Sequence, residues 1–144
     1  MRLFKCWLII CLSLLPSLVF AADYNSGVQA KVILKASTTT NGTPIAYLKT
    51  DQPEITAMTV DILPGAETGW HIHAIPVYAY VLSGCLTVKI EGNNMVRKVN
   101  AGDVIIEVVN VRHNGINEGK DPVKLIVFYT GAKNIPIVVK TAAP

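Results

Sequence analysis

With its first 21 residues set aside, the chain keeps a single cysteine. Cys6 and Cys11 lie in the apolar start, so Cys85 is left without a partner and no intramolecular disulfide is expected. Stability must then come from apolar burial alone, which about 120 residues can supply. No window sustains a 3.6-residue apolar period, which excludes a helical bundle. No basic stripe is present either. Removing Arg2 and Lys5 from 13 basic residues leaves 11 against 10 acidic ones, a net charge of +1. That balance argues against a nucleic-acid partner. No later run is long and apolar enough to cross a bilayer. Internal repeats, low-complexity tracts, a Ser/His/Asp set and a phosphate-cradling glycine loop are all missing. Histidine is scarce too, with three in the chain, and two of them stand one residue apart.

The start reads as an export signal. Arg2 and Lys5 precede an apolar run from Cys6 to Leu15, and Val19, Phe20 and Ala21 form a small-residue cleavage site. Cleavage after Ala21, with Ala22 as a near alternative, leaves 123 of the 144 residues, one domain by size. The expected organisation is a signal peptide over 1–21, a polar arm over 22–30 and one domain over 31–144. The mature protein is expected to be periplasmic or secreted, with no membrane association after cleavage.

Short β-rich runs follow, separated by turn residues. Strands are expected at 31–35, 44–48, 55–63, 77–82, 86–90, 95–99, 104–109, 123–129 and 135–140. Turns are expected at Ser37–Gly42, Pro64–Gly65, Ser83–Gly84, Glu91–Asn94, Asn100–Asp103 and Asn117–Pro122. About ten short strands at this spacing define an all-β sandwich or barrel.

Within that frame, GWHIHAIPVYAYVLSG places His71 and His73 at positions i and i+2 of a β-rich run. A strand points such a pair to one face, roughly 6–7 Å apart. Buried imidazoles need polar partners, and two on one face suit a metal ion. The alternative is a polar pocket of hydrogen-bonded histidines.

Two glycine-framed segments organise these residues. One runs from Gly65 through His71 and His73 to Gly84. The other runs from Gly102 through His113 to Asn117. Together with PGAETGWHIH, YVLSGCLTV, AGD and HNGIN, they resemble the two motifs of small single-domain cupins, over roughly residues 30–140. The resemblance implies a jelly-roll barrel or sandwich and a site in which His71, His73 and His113 hold one divalent transition metal, Fe, Mn, Zn, Ni or Cu. It also implies a small-molecule ligand or substrate and a homodimer, with 31–35 and 135–140 as contributors.

The departures from the pattern bear on the chemistry. Val77 stands seven residues before Gly84, where the family carries a glutamate ligand. Val108, Val109 and Asn110 replace the usual Pro-x-Gly before the third histidine. The site is therefore a three-histidine one, or it draws a carboxylate from elsewhere, with Glu107 the nearest candidate. Glu107 is equally readable as an outward strand residue, because the turn at 110–112 breaks the alternation. Val77, Ala79 and Val81 share parity with the histidine pair and are expected to wall the cavity. Trp70, Tyr78 and Tyr80 read as core or rim residues, with pocket lining as the alternative. Asn117 suits a turn, Glu67 a solvated loop, and Cys85 the less apolar face of its strand.

Three functional readings follow. The resemblance most suggests an oxygen-using, dioxygenase-like metalloenzyme acting on a small diketone, a thiol or a catechol-like acid, since some cupins lacking the glutamate are of that kind. The second reading is a non-catalytic small-ligand binding module. The third is an assembly role, compatible with either.

Overall fold

Alternation of apolar and polar residues builds two antiparallel sheets in this computed structural model, which describes residues 26–92 and 95–144. Nine strands run through the described residues: β1 (Pro53–Ile62), β2 (His71–Ile72), β3 (Val77–Ser83), β4 (Cys85–Ile90), β5 (Met95–Asn100), β6 (Val104–Ile106), β7 (His113–Ile116), β8 (Val123–Ala132) and β9 (Val139–Lys140). One sheet has the order β1-β8-β3-β6, the other β5-β4-β7-β2-β9. All nine lie in the unit Ile33–Pro144; residues 26–32, described in the N-terminal unit, are exposed and irregular. The signal-peptide reading of 1–21 and the end of the Glu91–Asn94 turn fall outside the described residues.

The period-2 pattern decides what is buried. In β3, Val77, Ala79 and Val81 are buried while Leu82 is exposed. Val123, Leu125, Val127 and Tyr129 of β8 and Leu86, Val88 and Ile90 of β4 face the same core. Each of the buried Val, Leu and Ile side chains contributes about 1.5–3 kcal/mol by leaving water. Cys85 is half-buried and free, as its place in the alternation implies.

Several expected strands differ from the observed ones. Residues 31–35 form no strand, and Val32, Ile33 and Leu34 stay exposed. The run 44–48 makes only an isolated bridge between Thr38 and Pro44. Ser37–Gly42 does turn, and Ile45 N–H donates to Ser37 O at 2.9 Å, but neither arm finds a ladder. The strand expected over 104–109 stops at Ile106, and that over 135–140 shortens to Val139–Lys140. β propensity made these runs candidates, but propensity without a pairing edge does not make a strand.

Gly84 turns the chain from β3 into β4 at φ +79°. A Cβ there would lie 2.9 Å from Val123 Cγ2 and 3.1 Å from Pro122 O. Backbone strain and overpacking therefore add, and Gly84→Ala is expected to destabilise the protein by about 2–4 kcal/mol. Urea unfolding of the two proteins measures it; equal midpoints would remove the steric argument.

Asn117 is fully buried and joins three segments. Its side-chain NH2 donates to Ile62 O and to Asp121 O, each at 2.8 Å, and its Oδ1 accepts from Gly119 N–H at 2.9 Å. This is the turn role expected of it, and it fixes β7 against the ends of β1 and β8.

Candidate metal centre

Antiparallel pairing brings the three histidines together. His71 on β2 lies directly opposite His113 on β7, and His113 also faces Ile90 on β4. Opposed residues point to one face of a sheet, and the His71 and His113 ring centroids are 4.3 Å apart. His73 lies just past β2, with its ring 4.8 Å from that of His71 and 5.0 Å from that of His113. Its carbonyl accepts Asn110 N–H at 2.8 Å, which ties the two histidine segments together. All three side chains are buried.

Each ring is oriented by its Nδ1. His71 Nδ1–H donates to Gly69 O at 2.7 Å, His73 Nδ1–H to Ile137 O at 2.5 Å, and His113 Nδ1–H to Val111 O at 2.9 Å. A carbonyl can only accept, so the proton sits on Nδ1 and each Nε2 is left to face the cavity. A backbone acceptor behind each ring is the usual support of a metal-binding imidazole.

Glu107 joins them. Its Oε2 is 2.8 Å from His73 Nε2 and 3.3 Å from His113 Nε2. The pairing of β3 with β6 explains why. Tyr78 opposes Ile106, so the next rung sets Val77 beside Glu107, whose N–H donates to Val77 O at 3.0 Å. Cross-strand neighbours share a face. The carboxylate thus reaches the region where the family's glutamate would point, from the adjacent strand. Asn110, one of the residues replacing Pro-x-Gly, adopts φ +56°, a left-handed conformation that asparagine tolerates better than most residues. The chain turns there between Glu107 and His113.

The donor set fits one ion. The ligand atoms of His71, His73, Glu107 and His113 lie within 4.8 Å of one another. Donors across one metal at about 2.0–2.2 Å each are about 4.0–4.4 Å apart, so shifts of a few tenths of an ångström complete the fit. Imidazole with one carboxylate suits Fe, Mn, Zn, Ni or Cu.

Without metal, the same contacts set the protonation states. Burial lowers His71 to about 4; the Gly69 carbonyl opposes this, and the neighbouring histidines reinforce it. Burial alone would raise Glu107, but hydrogen bonds from His113 and His73 and their charge hold it down at about 2. Burial would lower His113, yet its hydrogen bond to Glu107 and the attraction of that carboxylate raise it.

The signs fix a pH profile for the metal-free protein. The His71 contribution is complete above its unfolded value of 6.5 and is lost as pH falls towards 4. The Glu107 contribution, complete above 4.5, is lost between 4.5 and 2. That of His113 is present below 6.5 and lost as pH rises through its raised value. Stability in excess chelator is therefore expected to peak near pH 6.5 and fall more steeply on the acid side. Urea midpoints across pH test this; a maximum at about pH 4 or below would contradict it.

The cavity at the four donors is small, about 60 Å³. Its apolar walls are Val60, Ile62, Leu86, Val88, Leu125 and Val127, from β1, β4 and β8. Val77, Ala79 and Val81, expected as walls, are instead packed in the core. Tyr78 and Tyr80 alternate with them and point to the other side of β3, while Trp70 borders a surface depression beside Lys89–Gly92. Glu67 is exposed, accepting from Asn114 Nδ2 at 2.8 Å. The aromatic residue at the centre is Tyr129, with its ring 5.5 Å from that of His73. Burial, and then the charge of Glu107, push its hydroxyl up to about 12, so it keeps its proton. Its parity with Val123, Leu125 and Val127 was the sequence signal for that position.

A two-sheet antiparallel β fold, with three imidazoles and one carboxylate clustered where they could hold a metal ion, defines the class of the protein. The model of the cupin domain family matches residues 58–129, half of the chain, and the chain belongs to that family. No curated protein matches the sequence. Among solved structures it is similar to an oxalate oxidase, at 26% identity and TM-score 0.52, over 60% of this chain and 46% of that one. It is also similar to a DMSP lyase from Ruegeria pomeroyi, at 22% identity and TM-score 0.54, over 69% of this chain and 47% of that one. An oxalate decarboxylase from Lactobacillus farciminis, solved as a formate complex, aligns at 23% identity and TM-score 0.52, over 60% of this chain and 26% of that one. The chain spans about half the length of the first two and a quarter of the third.

Proposed function

We propose that this protein is an exported cupin that holds one divalent transition-metal ion and oxidises a small chelating organic acid with oxygen. The observation that supports this most directly is the convergence of four donor atoms within 4.8 Å, with every imidazole held from behind by a carbonyl. A metal bound there supplies Lewis acidity and, for iron or manganese, one-electron chemistry. The chain's own residues do the rest. Three neutral imidazoles and the Glu107 carboxylate leave a divalent site with one net positive charge, which attracts an anionic substrate. Apolar walls from β1, β4 and β8 limit water around it. Tyr129 keeps its Oη proton and offers a hydrogen bond, and Glu107 Oε2, beside His73 and His113, supplies the one negative donor. The similarity to an oxalate oxidase supports a small carboxylate as the first substrate class to try.

Elemental analysis of untagged protein, purified without chelator, is expected to find close to one transition-metal ion per chain. Oxygen uptake is then measured for iron-, manganese- and zinc-loaded protein with oxalate, small diketones, thiols and catechol-like acids. Binding of one of these without uptake by any form would make the protein a ligand-binding module instead. Export is supported by Arg2, Lys5, the apolar run and Val19–Ala21; a mature N-terminus at Ala22 or Asp23 is the expected result, and an uncleaved Met1 in the membrane fraction is the contrary one.

A homodimer is part of this reading. Ile55 and Phe128 are exposed on the four-stranded sheet, and β1 pairs only with β8 among the described residues, leaving a ten-residue edge. Such edges invite pairing. The tail offered as a contributor is engaged within its own chain, since β9 pairs with β2. Light scattering is expected to give twice the chain mass, and Ile55→Lys to give the monomer; a wild-type monomer would reject the dimer.

A further inference from the structure

The cavity at the four donors is too small to hold a ring or a branched chain. Its 60 Å³ compares with about 150 Å³ for an apolar cavity that takes benzene. A second cavity, of about 230 Å³, lies between residues 39–46 and residues 106–110, and Glu107 is the one described residue that lines both. The apolar lining of the second comes from Pro44, Ile45, Ala46, Pro76, Ile106 and Val109. We infer that this second cavity is the subsite for the apolar body of the substrate, a single ring or a branched chain of similar size. The substrate's chelating head then passes Glu107 to the donor cluster.

Three features carry the assignment. The first is size, since 230 Å³ accommodates a substituted ring where the inner cavity accommodates only small polar groups. The second is the wall. Asn110 lines the outer cavity and its N–H holds the carbonyl of the donor residue His73 at 2.8 Å, so the wall of the outer cavity is tied directly to the donor cluster. The third is the cover. Residues 39–46 form no strand, yet Thr40 fixes them to the end of β6, with its N–H donating to Ile106 O at 2.9 Å and its Oγ1 to the same oxygen at 2.6 Å. Thr39 N–H and Thr43 O close the turn at 2.8 Å. The segment that failed to become a strand is thus one wall of a pocket.

The destination of the head group rests on the metal reading proposed above; the pocket itself does not. The test uses full mature protein with labelled Ile, Val and Ala methyl groups, loaded with zinc, and two hydroxamic acids as probes. Acetohydroxamic acid carries only a chelating head, whereas benzohydroxamic acid adds one ring. Benzohydroxamic acid is expected to bind at least tenfold more tightly and to shift the Ile45, Ala46, Ile106 and Val109 methyl signals. Val109→Trp fills the pocket and is expected to reduce the preference below twofold, with zinc content and acetohydroxamic acid binding unchanged. Ala46→Trp, at an exposed position, serves if Val109→Trp does not fold. Equal affinities in the wild type, or a preference that survives filling, would overturn the subsite. If zinc is not retained, the metal reading fails, and benzyl alcohol is titrated into the metal-free protein. Shifts at the same four methyl groups then uphold the pocket, and their absence overturns it.

Discussion

Alanine at His71, His73 or His113 is expected to lower metal affinity at least 100-fold while the protein stays folded. The lower bound follows from chemistry: loss of an outer hydrogen-bond partner alone costs about 10–100-fold in metal affinity, and loss of the donor atom must cost more. Folding is expected to survive because most of the buried apolar cluster lies on strands that carry none of the three rings. The apolar cluster from Ile62 to Tyr129 does not depend on them. Nor does the metal-free cluster stabilise the fold without cost, since burial holds His71 at about 4. The measurement is metal content after dialysis against a competing chelator, with circular dichroism as the control for folding. Wild-type retention in all three variants would show that metal is held elsewhere. Unfolding of all three would show that the histidines are structural, which is the hydrogen-bonded-pocket reading of the same residues.

The three histidines were legible because their signal is local. Two are fixed by the i, i+2 spacing, and the third by the glycine frame that surrounds it. The all-β class was legible for the same reason, since period-2 burial in β3 and β8 is written directly in Val77–Val81 and Val123–Tyr129. What stayed open depended on pairing between distant segments. Glu107 had two readings until the β3–β6 register set it beside Val77. The residues expected as cavity walls had the correct parity but belonged to the wrong strand, because parity gives a face and not a position along it. Tyr129 carried a usable signal in its alternation, yet nothing local tied β8 to the histidines. The Ile137 carbonyl that orients His73 is a backbone group 64 residues away, and no side-chain pattern announces it. The runs at 31–35 and 44–48 misled because strand propensity describes a half-buried pleated surface, and these residues lie where neither sheet extends.

Moving the carboxylate back across one rung should move the metal ligand with it. Glu107→Val is expected to lower metal affinity at least tenfold, since it removes the only carboxylate of the four donors. It also leaves His73 and His113 without their shared acceptor, so the raised pKa of His113 should fall. Val77→Glu in that background restores a carboxylate on the opposed residue of the neighbouring strand. The two positions are joined by the Glu107 N–H to Val77 O bond of 3.0 Å, and opposed side chains share a face. The exchanged protein, with glutamate at 77 and valine at 107, is expected to recover at least half of the lost binding free energy. Stability will not follow affinity in parallel. Val77 is completely buried, so a glutamate there lacks room and, without metal, must find hydrogen bonds from the same histidines. The metal-free exchanged protein should therefore be less stable than wild type, and added zinc should raise its melting temperature more than it raises that of Glu107→Val. Metal competition and thermal unfolding on the wild type, Glu107→Val and the exchanged protein give both quantities. Recovery of affinity would identify Glu107 as the carboxylate donor at a relocated position. A Glu107→Val protein that binds metal like wild type would reduce the centre to three histidines and make Glu107 only their hydrogen-bond acceptor.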